Sequence, residues 1–371
     1  MALLTPGDPA DPLALQGALL QAMDAGGPAV VVGVDPARLD RDALPAGTAL
    51  VLATSGSTGV PKRVALSAAA LRASAAATAA RIGEGAWVLA LPASRIAGIQ
   101  VLVRAALAGA PVQPAASGGA ADVAAAAAAL PAGAPAYTSL VPAQLRALLR
   151  DAPDALARFE AVLVGGQRTP PDLLEEAAER GIRVVRTYGS TETAGGCVYD
   201  GAPLPGVMLR IEAGEVLVAG EMLADGYVGE PAATAAAFPV RDGRRWYRTG
   251  DRGALAADGA LQVTGRADNV IVSGGVNVSL DLVEAAVHTV PALRDAVVIG
   301  VADETWGEAS VVVTAQGDAR DLADARAAVE RALGAAARPR EVVRVGAVPL
   351  LASGKPDRVA LRERFGGRRL G

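Results

Sequence analysis

Short apolar runs punctuate the first half of the chain: AVVVGV (29–34), ALVLAT (49–54), AWVLALP (86–92), APVQPA (110–115), PAYTSL (135–140), AVLVGG (161–166) and RVVRTYG (183–189). Each is of strand length, and longer Ala-rich stretches of helical length alternate with them. Unbroken apolar runs suit strands buried on both faces, so the pattern predicts an α/β large domain of parallel-type sheets covered by helices. Several runs end in Gly, Ser or Thr, where open α/β sheets carry their ligand loops. From about residue 207 the texture shortens. MLRIEAGEVLVAG (208–220) and GALAADGALQVTG (253–265) read as hairpins with Gly-containing turns, which predicts a β-rich part over about 207–265. The order then becomes a helix near 280–290, strands near 295–301 and 309–315, a helix near 321–336, and a last strand and helix. These elements make a small α+β domain of about a hundred residues. The expected organisation is a large domain over 1–265, a junction at 266–268 and a small C-terminal domain over 269–371.

Composition narrows the class. A chain of 371 residues exceeds one hydrophobic core. Its 35 basic and 39 acidic residues are interspersed, which offers no field suited to a polyanion and disfavours nucleic acid. One Cys and one His exclude a disulfide framework and a Cys/His zinc cluster, and fit a reducing compartment. Asp8 and Asp11 stand where a secretory signal needs basic residues, and the uncharged stretch 123–143 is Ala-rich and broken by Pro131, Pro135 and Pro142. The expectation is a cytoplasmic protein without membrane insertion.

The segment VLATSGSTGVPKRVALS (51–67) poses the chemical question. Thr54, Ser55, Gly56, Ser57, Thr58 and Gly59 are small or hydroxylic, and Lys62 follows. Small residues let backbone N–H groups approach phosphate oxygens, hydroxyls add donors, and a lysine balances charge, so a polyphosphate is the natural guest. The spacing is not that of a kinase or GTPase loop, because Pro61 precedes Lys62 and no Ser or Thr follows it. A solvated Gly/Ser turn between two elements is the alternative for this segment taken alone.

Further segments follow in order: TYGSTET (187–193), YRTGD (247–251), GRADNVIVSGGVNVS (265–279) and ASGKPDR (352–358). With the phosphate loop, the set resembles the adenylate-forming superfamily of acyl-CoA synthetases, luciferases and peptide-synthetase adenylation domains. That resemblance implies a two-step reaction in which a carboxylate joins the α-phosphate of ATP, pyrophosphate leaves, and the acyl group passes to the thiol of coenzyme A. It implies that Thr54 to Gly59 and Lys62 hold the departing phosphates, that Glu192 coordinates Mg2+, and that Thr191 bonds the α-phosphate. Gly165, Gly166, Gln167, Tyr188 and Gly189 would line the nucleotide, while Asp251 and Arg266 would reach the ribose. Lys355 would be the catalytic lysine, Asp268 the hinge, and Gly274 and Gly275 part of the thiol route.

The acid is less directly marked. Only about fifty residues precede the phosphate loop, fewer than is usual in the superfamily. AYTSLVPAQLRALL (136–149) and RTYGSTETAGGCVYDGAPLPGV (186–207) resemble segments of a short-form member whose acid is an aromatic dicarboxylate. Arg95, in LPASRIAGI, stands where the superfamily commonly has His or an aromatic residue; it either grips a second carboxylate or pairs with a surface acid. Thr138, Ser139 and Gln144 are candidate polar contacts to the same substrate. A second departure puts Arg63 where glycine is usual. His288 is expected on a helix surface, Cys197 as a small buried thiol, and a homodimer is compatible with the resemblance.

Overall fold

The computed structural model describes residues 4–24, 27–54, 62–350 and 356–366, and the backbone of 369–370. All seven apolar runs contain strands, but they divide between two sheets. The first has the order Leu4–Pro6, Ala29–Val32, Thr48–Thr54, Lys62–Ser67, Gly226–Tyr227. Its first three strands are parallel; Lys62–Ser67 then doubles back on Thr48–Thr54, setting Lys62 opposite Thr54. Gly226–Tyr227 adds an antiparallel edge with Tyr227 opposite Val64. This short strand contributes few apolar positions of its own, which is why its pairing is invisible in the pattern.

The second sheet has the order Ala202–Pro203, Gly195–Tyr199, Val184–Ser190, Ala161–Val164, Ala136–Leu140, Ala86–Leu89, Val112–Pro114. The strands from Val184–Ser190 to Val112–Pro114 are parallel, and Gly195–Tyr199 returns antiparallel along Val184–Ser190. Helix Ala68–Ile82 starts at Ser67, whose hydroxyl accepts from Ala70 N, and stops at Gly83 with φ +99°. Its buried face is mostly small (Ala70, Ser74, Ala75 and Thr78 beside Leu71 and Ile82), so much of its backbone can come close to its neighbours. Helix Ile96–Leu107 is buried nearly all round, as a central helix must be. It can lie there because residue 98 is Gly, where a Cβ would meet Pro92 O at 2.3 Å. Each fully buried Leu, Ile or Val of this helix contributes about 1.5–3 kcal/mol.

A four-stranded sheet of order Met208–Glu212, Glu215–Ala219, Tyr247–Leu255, Leu261–Arg266 contains the two hairpins read from the sequence. By internal contacts the chain divides into one unit of residues 1–210, 217–249 and 255–261 and another of 211–216, 250–254 and 262–371. The second unit is α+β. Its main strand path runs Val276–Ser279, Val270–Ser273, Gly307–Thr314, Val297–Asp303, Arg369–Leu370, with Val342–Arg344 also on Gly307–Thr314. Alternation along the central strands builds two cores. Val298 and Val312 face one cluster with Leu280, Val283 and Val329; Val297, Ile299, Val311 and Val313 face another with Leu361. Residues 270–279, to which the sequence pattern assigned no strand, form a hairpin whose two-residue turn is Gly274 and Gly275 at φ +58° and +79°. Both positive φ values are what such a turn requires. No helix among the described residues is long and apolar enough to cross a membrane.

Candidate active site

Lys62 begins its strand opposite Thr54, whose hydroxyl donates to Lys62 O at 3.4 Å. Ser55, Gly56, Ser57, Thr58 and Gly59 lie outside the described residues. The Lys62 ammonium sits 4.5 Å from the centre of the Tyr227 ring, and the Tyr227 hydroxyl donates to Glu192 Oε1 at 3.1 Å. A cation from one strand and a carboxylate from the turn Thr191–Thr193 thus share one phenol. Burial, and then the neighbouring Glu192 charge, push the Tyr227 pKa well above the ordinary phenol range, so it remains a donor.

Glu192 is aimed by a tight turn. Ser190 N donates to Thr193 Oγ1 at 2.8 Å, Thr193 Oγ1 donates to Gly195 O at 2.7 Å, and the chain reverses at Ala194 (φ +49°) and Gly195 (φ +103°). Its backbone is tied as well, because Ala224 N donates to Glu192 O at 2.8 Å. Segment 224–227 is itself pinned. Arg245 donates to Ala224 O and Asp225 O at 2.7 and 2.8 Å while lying over the Phe238 ring at 4.2 Å.

Glu192 carries one oxygen held by Tyr227 and a second with no protein donor recorded among the described residues. No group of three His, Cys, Asp or Glu side chains there could hold a metal alone. A single half-buried carboxylate of this kind fits Mg2+, a hard ion that keeps waters and shares itself with substrate phosphates, and does not fit an all-protein zinc or calcium cage.

At the glycines expected to line the nucleotide, glycine is needed for space. A Cβ at Gly165 would meet Thr187 Oγ1 at 2.3 Å, and one at Gly189 would meet Gly195 O at 2.0 Å. Gly166 turns at φ +82° and Gln167 is exposed just beyond it. Tyr188 lies half-buried in strand Val184–Ser190, and Thr191 opens the turn that carries Glu192. Cys197 is buried, and burial pushes its thiol up to about 12. Native protein at pH 8 is therefore expected to react with a thiol-disulfide reagent at least about 10²-fold more slowly than unfolded chain, because the thiolate is the reacting species; absorbance of the released thiol measures it.

The residues proposed from the sequence as contacts to the acid differ in how free they are. Arg95 is the N-cap residue of Ile96–Leu107, half-buried, and no carboxylate among the described residues lies within ion-pair reach of it. Ser139 is buried in strand Ala136–Leu140. Thr138 is fully buried and gives its hydroxyl to Val88 O at 3.1 Å. Gln144 donates to Ala90 O and Gly118 O at 2.8 and 3.0 Å and accepts from Val141 N at 3.0 Å. These two side chains are committed to framing the loops. Gln100, passed over in the sequence because it falls in an apolar helix, is fully buried with both amide atoms unpartnered and packs against Gly195.

In the second unit, Asp251 and Arg266 are brought together at 3.1 Å, and Arg266 also pairs with Asp268 at 3.1 Å. Burial opposes the Arg266 charge, but the Asp268 and Asp251 carboxylates outweigh it and raise its pKa above the usual range. Gly250 stands at φ +69°, where a Cβ would come 3.0 Å from Arg266 Nη2. Arg266 N donates to Asp281 Oδ2 at 2.7 Å, anchoring the junction to helix Leu280–Val287. Trp306 packs on Gly274 of the hairpin turn. His288 caps the same helix, half-buried, with Nε2 2.7 Å from Ala296 O. Lys355 lies outside the described residues.

Residues 15–228 match the AMP-binding enzyme family and residues 282–355 match the AMP-binding enzyme C-terminal domain. The chain belongs to the AMP-binding enzyme family. A Mycobacterium tuberculosis protein named "Probable 2-succinylbenzoate–CoA ligase" is 45% identical over 330 residues, covering 86% of this chain and 85% of that one. The 2-succinylbenzoate–CoA ligase of Geobacillus kaustophilus is 33% identical over 287 residues, 70% of this chain and 57% of its own. Among solved structures, the Bacillus subtilis o-succinylbenzoate CoA synthetase in complex with its acyl-adenylate intermediate superposes with a TM-score of 0.77 at 27% identity, covering 86% of this chain and 70% of that one. The amide bond synthetase of Marinactinospora thermotolerans gives 0.76 at 29%, covering 98% and 80%. In this AMP-binding enzyme, Tyr227 contacts the candidates Lys62 and Glu192 and was not singled out in the sequence, nor was the buried Gln100. The Gly-Tyr pair at 226–227, just after the buried Met222–Ala224, was the available signal for the first.

Proposed function

We propose that this AMP-binding enzyme is an acid–thiol ligase that adenylates o-succinylbenzoate with ATP and passes the acyl group to coenzyme A, a step of menaquinone biosynthesis. In the first step a substrate carboxylate oxygen bonds to the α-phosphorus and the bond to the β-phosphate bridging oxygen breaks, releasing pyrophosphate. In the second, the thiol sulfur of coenzyme A bonds to the acyl carbon, its proton is lost to solvent, and AMP leaves.

The ATP half is carried by one observation, the Lys62–Tyr227–Glu192 arrangement, in which Lys62 closely follows the phosphate-loop motif in the sequence. Lys62, with the hydroxyls and N–H groups of 54–59, offsets the charge of the departing phosphates. Thr191 would bond the α-phosphate, and Glu192 would hold Mg2+, which when bound neutralises phosphate charge. Gly165, Gly166, Gln167, Tyr188 and Gly189 flank the base, and Asp251 with Arg266 receives the ribose. Lys355 joins the substrate carboxylate to the α-phosphate, residues 266–268 turn to bring it in or withdraw it, and Gly274 and Gly275 border the thiol path. Much of the work is positioning and charge balance, as such displacements need little covalent help.

Choice of acid rests on the 45% identity to the mycobacterial protein and on Arg95. An arginine without a carboxylate partner at the start of a twelve-residue helix suits the ring carboxylate of a dicarboxylate, with Ser139 as a further donor. The same reading places the enzyme in the cytoplasm and allows a homodimer. The test is product mass: enzyme, ATP, Mg2+ and coenzyme A are incubated with o-succinylbenzoate, benzoate, malonate and medium-chain fatty acids. The expected result is a thioester of o-succinylbenzoate formed at least about 10²-fold faster than any other, because leaving a site's charged group unpaired is costly. Turnover of another acid with none of o-succinylbenzoate would leave the ATP chemistry standing and remove this substrate.

A further inference from the structure

We propose that Tyr227 is a positioning residue for adenylation, a spacer that gives Lys62 and Glu192 a partner each while preventing them from neutralising one another. This inference rests on the roles given above to Lys62 and Glu192.

A phosphate-binding lysine and a metal-binding carboxylate side by side have an obvious resting state, a direct ion pair. Such a pair would cancel the charges that ATP and Mg2+ need, and binding would have to break it. Tyr227 supplies a different resting state. The face of its ring, which carries negative potential, takes the Lys62 ammonium at 4.5 Å, and its hydroxyl takes Glu192 Oε1 at 3.1 Å. No ion pair between Lys62 and Glu192 is recorded among the described residues. A cation on a ring face can exchange to a phosphate, and a carboxylate held through one oxygen keeps the other for a metal.

The ring cannot swing aside. Its backbone is opposite Val64, two residues along the strand from Lys62, and Tyr227 N donates to Thr234 Oγ1 at 2.9 Å. Its ring packs 5.9 Å from that of Phe238, which in turn lies 5.2 Å from Tyr247. Residues Lys62 and Val64 share one face of the strand, so the register itself puts the phenol beside the lysine.

Tyr227→Phe keeps the ring and removes the donor; Tyr227→Leu removes both. In calorimetric titration of the full chain with ATP at graded Mg2+, Tyr227→Phe is expected to raise the Mg2+ concentration needed for half-maximal binding by about tenfold, the loss typical when a metal ligand loses its outer partner. ATP affinity without Mg2+ stays near wild type in this variant. Tyr227→Leu is expected to show the same Mg2+ shift and also weaker ATP binding without Mg2+, as Lys62 closes onto Glu192. Thermal midpoints are measured alongside, and Tyr227→Phe should stay close to wild type. Unchanged Mg2+ dependence in Tyr227→Phe overturns the proposal, as does a loss of stability in both variants with no change in either dependence. If wild-type enzyme exchanges pyrophosphate with no acid, the ligase reading fails, but the calorimetric comparison still decides the role of Tyr227.

Discussion

Glu192→Gln is expected to lower ATP–pyrophosphate exchange by about 10²–10³-fold, because a neutral amide cannot supply the anionic oxygen that a Mg2+–phosphate complex needs. The fold should tolerate it. Glu192 is half-buried and its backbone is held independently by Ala224 N, while the Gln side-chain oxygen can still accept from the Tyr227 hydroxyl. Removing the charge also leaves Lys62 without an opposing anion nearby, so ATP affinity in the absence of Mg2+ is expected to fall less than exchange activity. Exchange assayed with o-succinylbenzoate over a range of Mg2+, together with a thermal melt, measures both. A variant that exchanges at the wild-type rate would mean that Glu192 is a structural acceptor for Tyr227 and nothing more.

Lys355→Ala is expected to suppress adenylation by about 10²–10³-fold, the loss typical of removing one preorganised donor from a developing charge. Thioester formation from a supplied acyl-adenylate and coenzyme A should remain near wild type, because that step no longer forces two anions together. Measured separately, the half-reactions give a ratio that a mere folding defect would not move. Equal loss in both would show that Lys355 does not serve the first step in the way proposed.

Much of this was legible in the chain order. The apolar runs marked their strands because a strand buried on both faces must be apolar throughout, and the Ala-rich stretches between them marked helices. Ordered motifs pointed to the family that the AMP-binding enzyme matches show. Glycines at 165 and 189 were visible as letters, but the reason for them, contact with Thr187 Oγ1 and Gly195 O, belongs to the packed sheet.

Other features were decided only by folding. Apolar runs do not say which strands pair, so the division into two sheets and the edge strand Gly226–Tyr227 came from tertiary packing. The polar residues 138 and 144 looked alike as candidates to Arg95 and Ser139. Thr138 and Gln144 spend their hydrogen bonds on neighbouring carbonyls, whereas Arg95 has no carboxylate beside it. Local sequence thus determined element type and chemical class, because these follow from near-neighbour sterics, periodicity and side-chain chemistry. The meeting of Lys62 and Glu192 on one tyrosine was decided by tertiary structure alone. Residues 62, 192 and 227 are far apart along the chain, and only strand register and the Arg245-pinned segment bring their charges within reach of one ring.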